Sequence, residues 1–218
     1  MYYGVESRKV ASVYSKLKEL VVDFQFRPGE HLHINELSTT LKVSVTPVRE
    51  ALIRLTDEGL ITTQPNRGFF TKVPDLHEID DLYGVLHMVL RSSLELWKDD
   101  FAPAHLSGPE VDTSALDGPR RLCIRLERLH EQIARMSLNR ELVRLTRQCN
   151  ERTRYVRLVD CGSARAAEIQ DHLGALVGAL VGGSAEAAFD ELDRLLQSQR
   201  ARLTSIIREI VSDTAIDV

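Results

Sequence analysis

The chain has 218 residues, of which 43% are hydrophobic and 28% charged, enough apolar material for one large core or two small ones and too much for a disordered chain. No apolar run approaches the ~20 residues that a membrane helix needs, and the N-terminal MYYGVESRKV lacks a basic-then-apolar export signal, so a cytoplasmic protein with no membrane partner is expected. The net charge of −4 hides an asymmetry: residues 1–74 carry ten Lys or Arg against eight Asp or Glu, while residues 75–218 carry eighteen against twenty-four, so only the first part could lie on phosphate without repulsion.

In chain order, Val10, Val13, Leu17, Leu20, Val21 and Phe24 recur at three- and four-residue steps and predict a helix over 10–24. Arg27-Pro28-Gly29 then breaks it. A short helix fits 35–41, and another fits 45–58 with Val48, Leu52 and Leu55 inward, Ser44 or Thr46 as caps, Pro47 in its first turn and Gly59 at its end. Two β-prone runs, 60–64 and 69–73, are joined by Pro65-Asn66-Arg67-Gly68, which carries turn chemistry. Pro74-Asp75 marks a boundary. From there the pattern is helical: 75–97, then a mostly loop stretch at 99–119, then 122–136, 140–159, 164–181 and 185–211, with Ser184 capping the last. The expected fold is mainly α: an N-terminal winged helix-turn-helix of three helices and a β-hairpin over 1–74, and an all-α antiparallel bundle over 75–218. Cys123, Cys149 and Cys161 show no paired spacing and read as reduced thiols.

In a helix-turn-helix the second helix enters the major groove with its first turn at the base edges. On the helix over 45–58 that turn offers Thr46 and Arg49. Arg49 lies off the Val48/Leu52/Leu55 face, and an arginine fork pairs with both O6 and N7 of guanine. Thr46 could reach a phosphate or a thymine methyl, and Ser44 a phosphate beside the backbone N–H groups of the helix start. Asn66 and Arg67 at the hairpin tip, with Gly68, would reach a neighbouring phosphate or the minor groove. Taken singly, Arg49 could instead pair with Glu50 or Asp57, and Arg67 could be an ordinary loop charge.

The string LKVSVTPVREALIRLTDEGLITTQPNRGFFTKV resembles the winged helix-turn-helix of GntR-type regulators. The resemblance implies DNA contacts at Ser44, Thr46, Arg49 and Gly68 with Arg67. Val45 departs from it, standing where many members have Arg. EIDDLYGVL, LERLHEQIARMSLNREL (with His130 and Asn139) and GGSAEAAFDELDRLL resemble helices of the FadR/FCD branch, whose bundle binds a small effector and mediates dimerisation. That implies a homodimeric repressor on palindromic operator DNA, its operator binding modulated by a small-molecule effector in the C-terminal helical domain, and no enzyme. A ligand-insensitive architectural DNA binder and an enzyme tethered to DNA are the alternatives.

Many members of that branch also hold a divalent metal with one Asp and three His. Here Leu126 stands at the Asp position, His130 matches the first His, His172 matches the second only with a one-residue insertion (Leu173 without it), and Leu195 stands at the third. The ligand set is incomplete, so no metal site is assigned and no cofactor is firmly expected. Leu86 replaces an Arg that helps to hold acidic effectors in many members. His87, His130 and His172 are the candidate effector contacts. Residues 120–157 hold eleven arginines, most of them expected on solvated faces, with Arg152 or Arg154 able to turn inward towards an anionic effector, which adds Arg152 to the candidate effector contacts.

Overall fold

The N-terminal stretch folds as α1 (Tyr3–Val22), followed by α2 (Ile34–Leu41), α3 (Val45–Asp57), β1 (Ile61–Gln64) and β2 (Gly68–Thr71). The computed structural model describes residues 3–97 and 116–215. Val13, Leu17 and Val21 of α1, Leu37 of α2, and Val48, Leu52 and Leu55 of α3 form one core with Ile61 and Phe69 of the hairpin. The apolar stripe read between Val10 and Phe24 lies within α1 except at its end. Phe24 adopts φ 55 beyond the helix, and α1 begins seven residues before Val10. The added turns carry no apolar period that a sequence reading could detect.

Each helix end has a local cause. After α2, Lys42 takes the left-handed conformation at φ 55, and the Val43 N–H bonds to the Ser38 carbonyl at 3.0 Å. After α3, Gly59 at φ 71 reverses the chain, with the Leu60 N–H on the Leu55 carbonyl at 3.0 Å. β1 and β2 pair antiparallel in the register Ile61 to Thr71 and Gln64 to Gly68. The segment at 30–32 adds a third edge: the Leu32 N–H donates to the Phe69 carbonyl at 2.8 Å and the Thr71 N–H to the Glu30 carbonyl at 3.0 Å.

The remainder is helical: α4 (Leu76–Glu95), α5 (Gly118–Met136), α6 (Arg140–Gly162), α7 (Ala166–Val181) and α8 (Ala185–Ala215). Asp75, Asp117 and Asn139 cap α4, α5 and α6 through side-chain oxygens. The stretch at 99–119 was expected to be mostly loop. Residues 99–115 of it lie outside the described residues, and Gly118-Pro119 form the first turn of α5, where Pro lacks only a donor that the first turn leaves unused. Ser184 accepts the Ala187 N–H at 3.3 Å at the start of α8. Side chains hold α8 in place. Arg200 makes two 2.7 Å bonds to Asp80 of α4, and Arg202 makes bonds of 2.9 and 2.8 Å to Asp160 of α6. The chain divides into two compact units, Met1–Pro74 with Ile210–Val218, and Asp75–Glu209. Among the described residues no helix is long and apolar enough to cross a membrane, and the three cysteines are free and buried.

Candidate nucleic-acid interface

Burying one face of α3 decides what the other face can offer. Val48, Ala51, Leu52 and Leu55 are sealed in the core, so the positions between them are turned out. Thr46 and Arg49 are exposed in the first two turns. Arg49 makes no hydrogen bond or ion pair among the described residues, so the surface pairing with Glu50 or Asp57 does not form. The arginine that does pair is Arg54, whose guanidinium lies 3.8 Å over the Tyr14 ring and 3.2 Å from Glu58. Burial alone would raise the Glu58 carboxyl, but hydrogen bonds from Tyr14, Lys18 and Arg54 outweigh it and hold it below its ordinary range. This cluster joins α1 to the end of α3 and leaves the helix start clear.

Ser44 occupies the N-cap position of α3 with extended backbone, yet its hydroxyl makes no capping bond. A cap serine ordinarily accepts from the N2 or N3 amide. Here the hydroxyl and the first-turn N–H groups both remain available to an anion. Val45 is exposed beside them, an apolar side chain facing solvent where a polar contact could have stood.

At the hairpin tip Asn66 adopts φ 59 and Gly68 φ 98. Any Cβ at Gly68 would stand 3.0 Å from His31 Nε2, so both the backbone angle and the neighbour demand glycine. His31 stacks on Phe70 at 4.7 Å, and Arg67 lies 5.5 Å from the same ring, which braces the tip. Ser44, Thr46, Arg49, Asn66, Arg67 and Gly68 are all exposed within the first unit.

A further groove, of about 710 Å³, lies beside the start of α3 and is bordered by Lys16 of α1 and Lys42 of the α2–α3 turn. The sequence reading missed both lysines. Lys16 sits one position from the buried Leu17 and reads as an ordinary solvated charge, and Lys42 reads as turn.

The candidate effector contacts fall apart as a set. His87 Nε2 stands 2.6 Å from Asp193, which also takes Arg91 at 2.8 Å. His172 Nδ1 is 3.6 Å from Glu191, and Arg152 is tied to Glu78 at 2.6 Å. Only His130 is fully interior. Its Nδ1–H donates to Asn150 Oδ1 at 3.0 Å, and its Nε2 has no partner. Burial, reinforced by the Arg157 charge, pushes its pKa down to about 3. The inward arginine is Arg157, fully buried, with Arg154 a quarter exposed; both bond to the buried Glu127, at 2.8 Å from Arg157. Helix-face counting did not single out Arg157, because its selection depends on Glu127 across the α5–α6 contact. Gln199 of α8 is buried with neither amide atom bonded.

The metal that the resemblance implies does not fit these residues. An orphaned Nε2 on His130 could serve as one ligand, but Leu126, Leu173 and Leu195 are sealed apolar side chains at the other positions. Among the described residues no group of three His, Cys, Asp or Glu could hold a metal ion.

Residues 9–70 match the family described as bacterial regulatory proteins, gntR family. The Nta operon transcriptional regulator of Aminobacter aminovorans is 35% identical over 156 residues, covering 69% of this chain and 74% of that protein. The HTH-type transcriptional repressor RspR of Escherichia coli is 40% identical over 58 residues, covering 27% of this chain and 25% of that one. Among solved structures, a GntR transcriptional regulator from Rhodococcus sp. RHA1 is 22% identical, with a TM-score of 0.73 over 91% of this chain and 98% of that one, a likeness of fold.

Proposed function

This chain belongs to the gntR family of bacterial regulatory proteins, and from that premise we propose that Arg49 reads a guanine of its operator while Ser44, Thr46, Asn66, Arg67 and Gly68 fix the first unit on the flanking backbone. The protein is a DNA-binding transcription regulator, as are its relatives. The observation that carries the residue assignment is an exposed, unpartnered Arg49 on the outer face of a helix whose inner face is sealed. Arg49→Ala should weaken operator binding by about 1–3 kcal/mol and relax the preference at one base pair. Titration of the variant against single-base operator mutants checks this; unchanged affinity and an unchanged profile would reject the assignment.

The helical unit serves, in this reading, as an FCD-type effector and dimerisation domain over 75–218, with the two recognition helices of a homodimer meeting a palindromic operator. An effector that binds one arrangement of the dimer better shifts the protein towards or away from the DNA-competent state. Its support is a set of buried polar groups with unused capacity: His130 Nε2, the Arg157 Nε and the Gln199 amide are buried with no partner. His130 is therefore better placed to meet an effector than His87 or His172, whose rings are already paired, while Arg152 and Arg157 each keep a buried, unbonded Nε beside a paired terminal nitrogen. Light scattering with and without a half-length operator tests the dimer. Thermal shift across a small-molecule panel, repeated on His130→Leu, tests the pocket.

A further inference from the structure

We propose that the groove beside α3 holds the sugar–phosphate backbone of the operator, with Lys16 and Lys42 as its phosphate-binding side chains, an inference that rests on the DNA-binding reading above. The groove holds about 710 Å³; α1 contributes Ser12 and Lys16, the turn into α3 contributes Lys42 and Ser44, and the first turn of α3 contributes Pro47.

Its lining is built for an acceptor-rich occupant. Both lysines are exposed, and neither side chain makes a hydrogen bond or ion pair among the described residues. Lys18, one turn from Ser15 on the same helix, is by contrast held by Glu58 at 3.0 Å. The hydroxyls of Ser12 and Ser44 are also unbonded among the described residues, so both can donate. Ser38 and Thr39, which line the groove as well, already donate to the Asn35 carbonyl at 2.8 and 2.9 Å. No Asp or Glu borders the groove among the described residues. Phosphate oxygens accept and never donate, which matches two ammonium groups and two free hydroxyls with no carboxylate to compete.

Position selects DNA over a free anion. Ser44 and Pro47 line the groove where the helix that carries Arg49 begins, so a strand contacted by Arg49 passes beside it. Lys42 adds an independent sign. It sits at φ 55 in the left-handed position that ends α2, where glycine or asparagine is the favoured residue, so the turn alone does not account for a lysine.

The test uses the full chain, a duplex selected by the wild-type protein from a randomised pool, and an unrelated duplex of equal length, with binding measured across a KCl series. Lys16→Ala and Lys42→Ala should each weaken both duplexes by the same factor. Each should also lower the slope of log K against log[salt] by about 0.9 per bound protomer, and the double variant by about 1.8. Lys16→Arg and Lys42→Arg should keep the slope. Lys42→Gly should melt no lower than wild type and still lose the slope, which separates contact from folding. An unchanged slope in the double variant overturns the proposal, as does a loss confined to the selected duplex. Inorganic phosphate bound by wild type and released by the double variant, with the salt slope intact, would assign the groove to a small anion instead. A wild-type protein that selects no sequence at all would sink the DNA-binding reading itself, and this proposal with it.

Discussion

Buried charge in this protein is matched charge, and the match makes its loss costly. Glu127 is nearly sealed and receives both Arg157 and Arg154. Removing the carboxylate leaves the Arg157 guanidinium inside without a counter-charge, so Glu127→Gln should destabilise the protein by about 3–5 kcal/mol in urea unfolding. Replacing both partners by methionine should recover most of that loss, since Arg154 can turn to water and no buried ion remains. An equal loss in the double variant would contradict this account. His130 makes a second prediction. Its folded pKa of about 3 lies below the ordinary 6.5, because burial and the Arg157 charge favour the neutral ring over the opposing bond it donates to Asn150. The unfolded chain therefore takes up a proton that the folded chain refuses. The contribution to stability is complete above pH 6.5 and is lost as pH falls towards 3, with a slope of at most about 1.4 kcal/mol per pH unit. Imidazole NMR at pH 5 should find a neutral ring, and His130→Leu should flatten the acid limb of the stability curve.

The hairpin depends on one glycine in a way that the recognition helix does not. Gly68 combines a φ of 98 with His31 only 3.0 Å from where a Cβ would stand. Gly68→Ala should lower stability by about 1–3 kcal/mol and weaken operator binding, while helix content by circular dichroism stays near wild type. Full affinity in that variant would show that the wing tip carries no contact. The helix was legible from its residues because its inner positions repeat at helical spacing and Gly59 marks its end. The wing was legible only as two strands and a turn. Its third edge, at Glu30 to Leu32, is a run of mixed polarity with no alternation, and it pairs through backbone groups that every sequence carries.

At the scale of the whole molecule, α4, α5 and α6 of the helical unit pack on one another, and α8 reaches α4, α6 and α7 through Arg200, Arg202 and Ser198. Interior leucines at 126, 173 and 195 put no carboxylate or imidazole at those positions, and among the described residues no three possible ligands gather to hold a metal ion. Freshly purified, tag-free protein should therefore contain no stoichiometric divalent metal by plasma mass spectrometry, and a chelator should leave its melting temperature unchanged. About one metal per chain, with a lower melting point after chelation, would overturn that expectation and redirect the effector search to metal-binding acids.

The order of helices, the hairpin and the exposed Arg49 were determined by local sequence alone. Apolar spacing, cap residues and turn residues act within a few positions, and each excludes the alternatives at its own site. The tertiary structure alone decided which of eleven arginines turns inward, which histidine loses its proton affinity and which lysines face a shared groove. Those outcomes depend on partners brought together from distant positions, as Glu127 meets Arg157 and Lys16 meets Lys42 across one groove. A charged side chain's period along its own helix does not say whether a counter-charge or solvent will meet it.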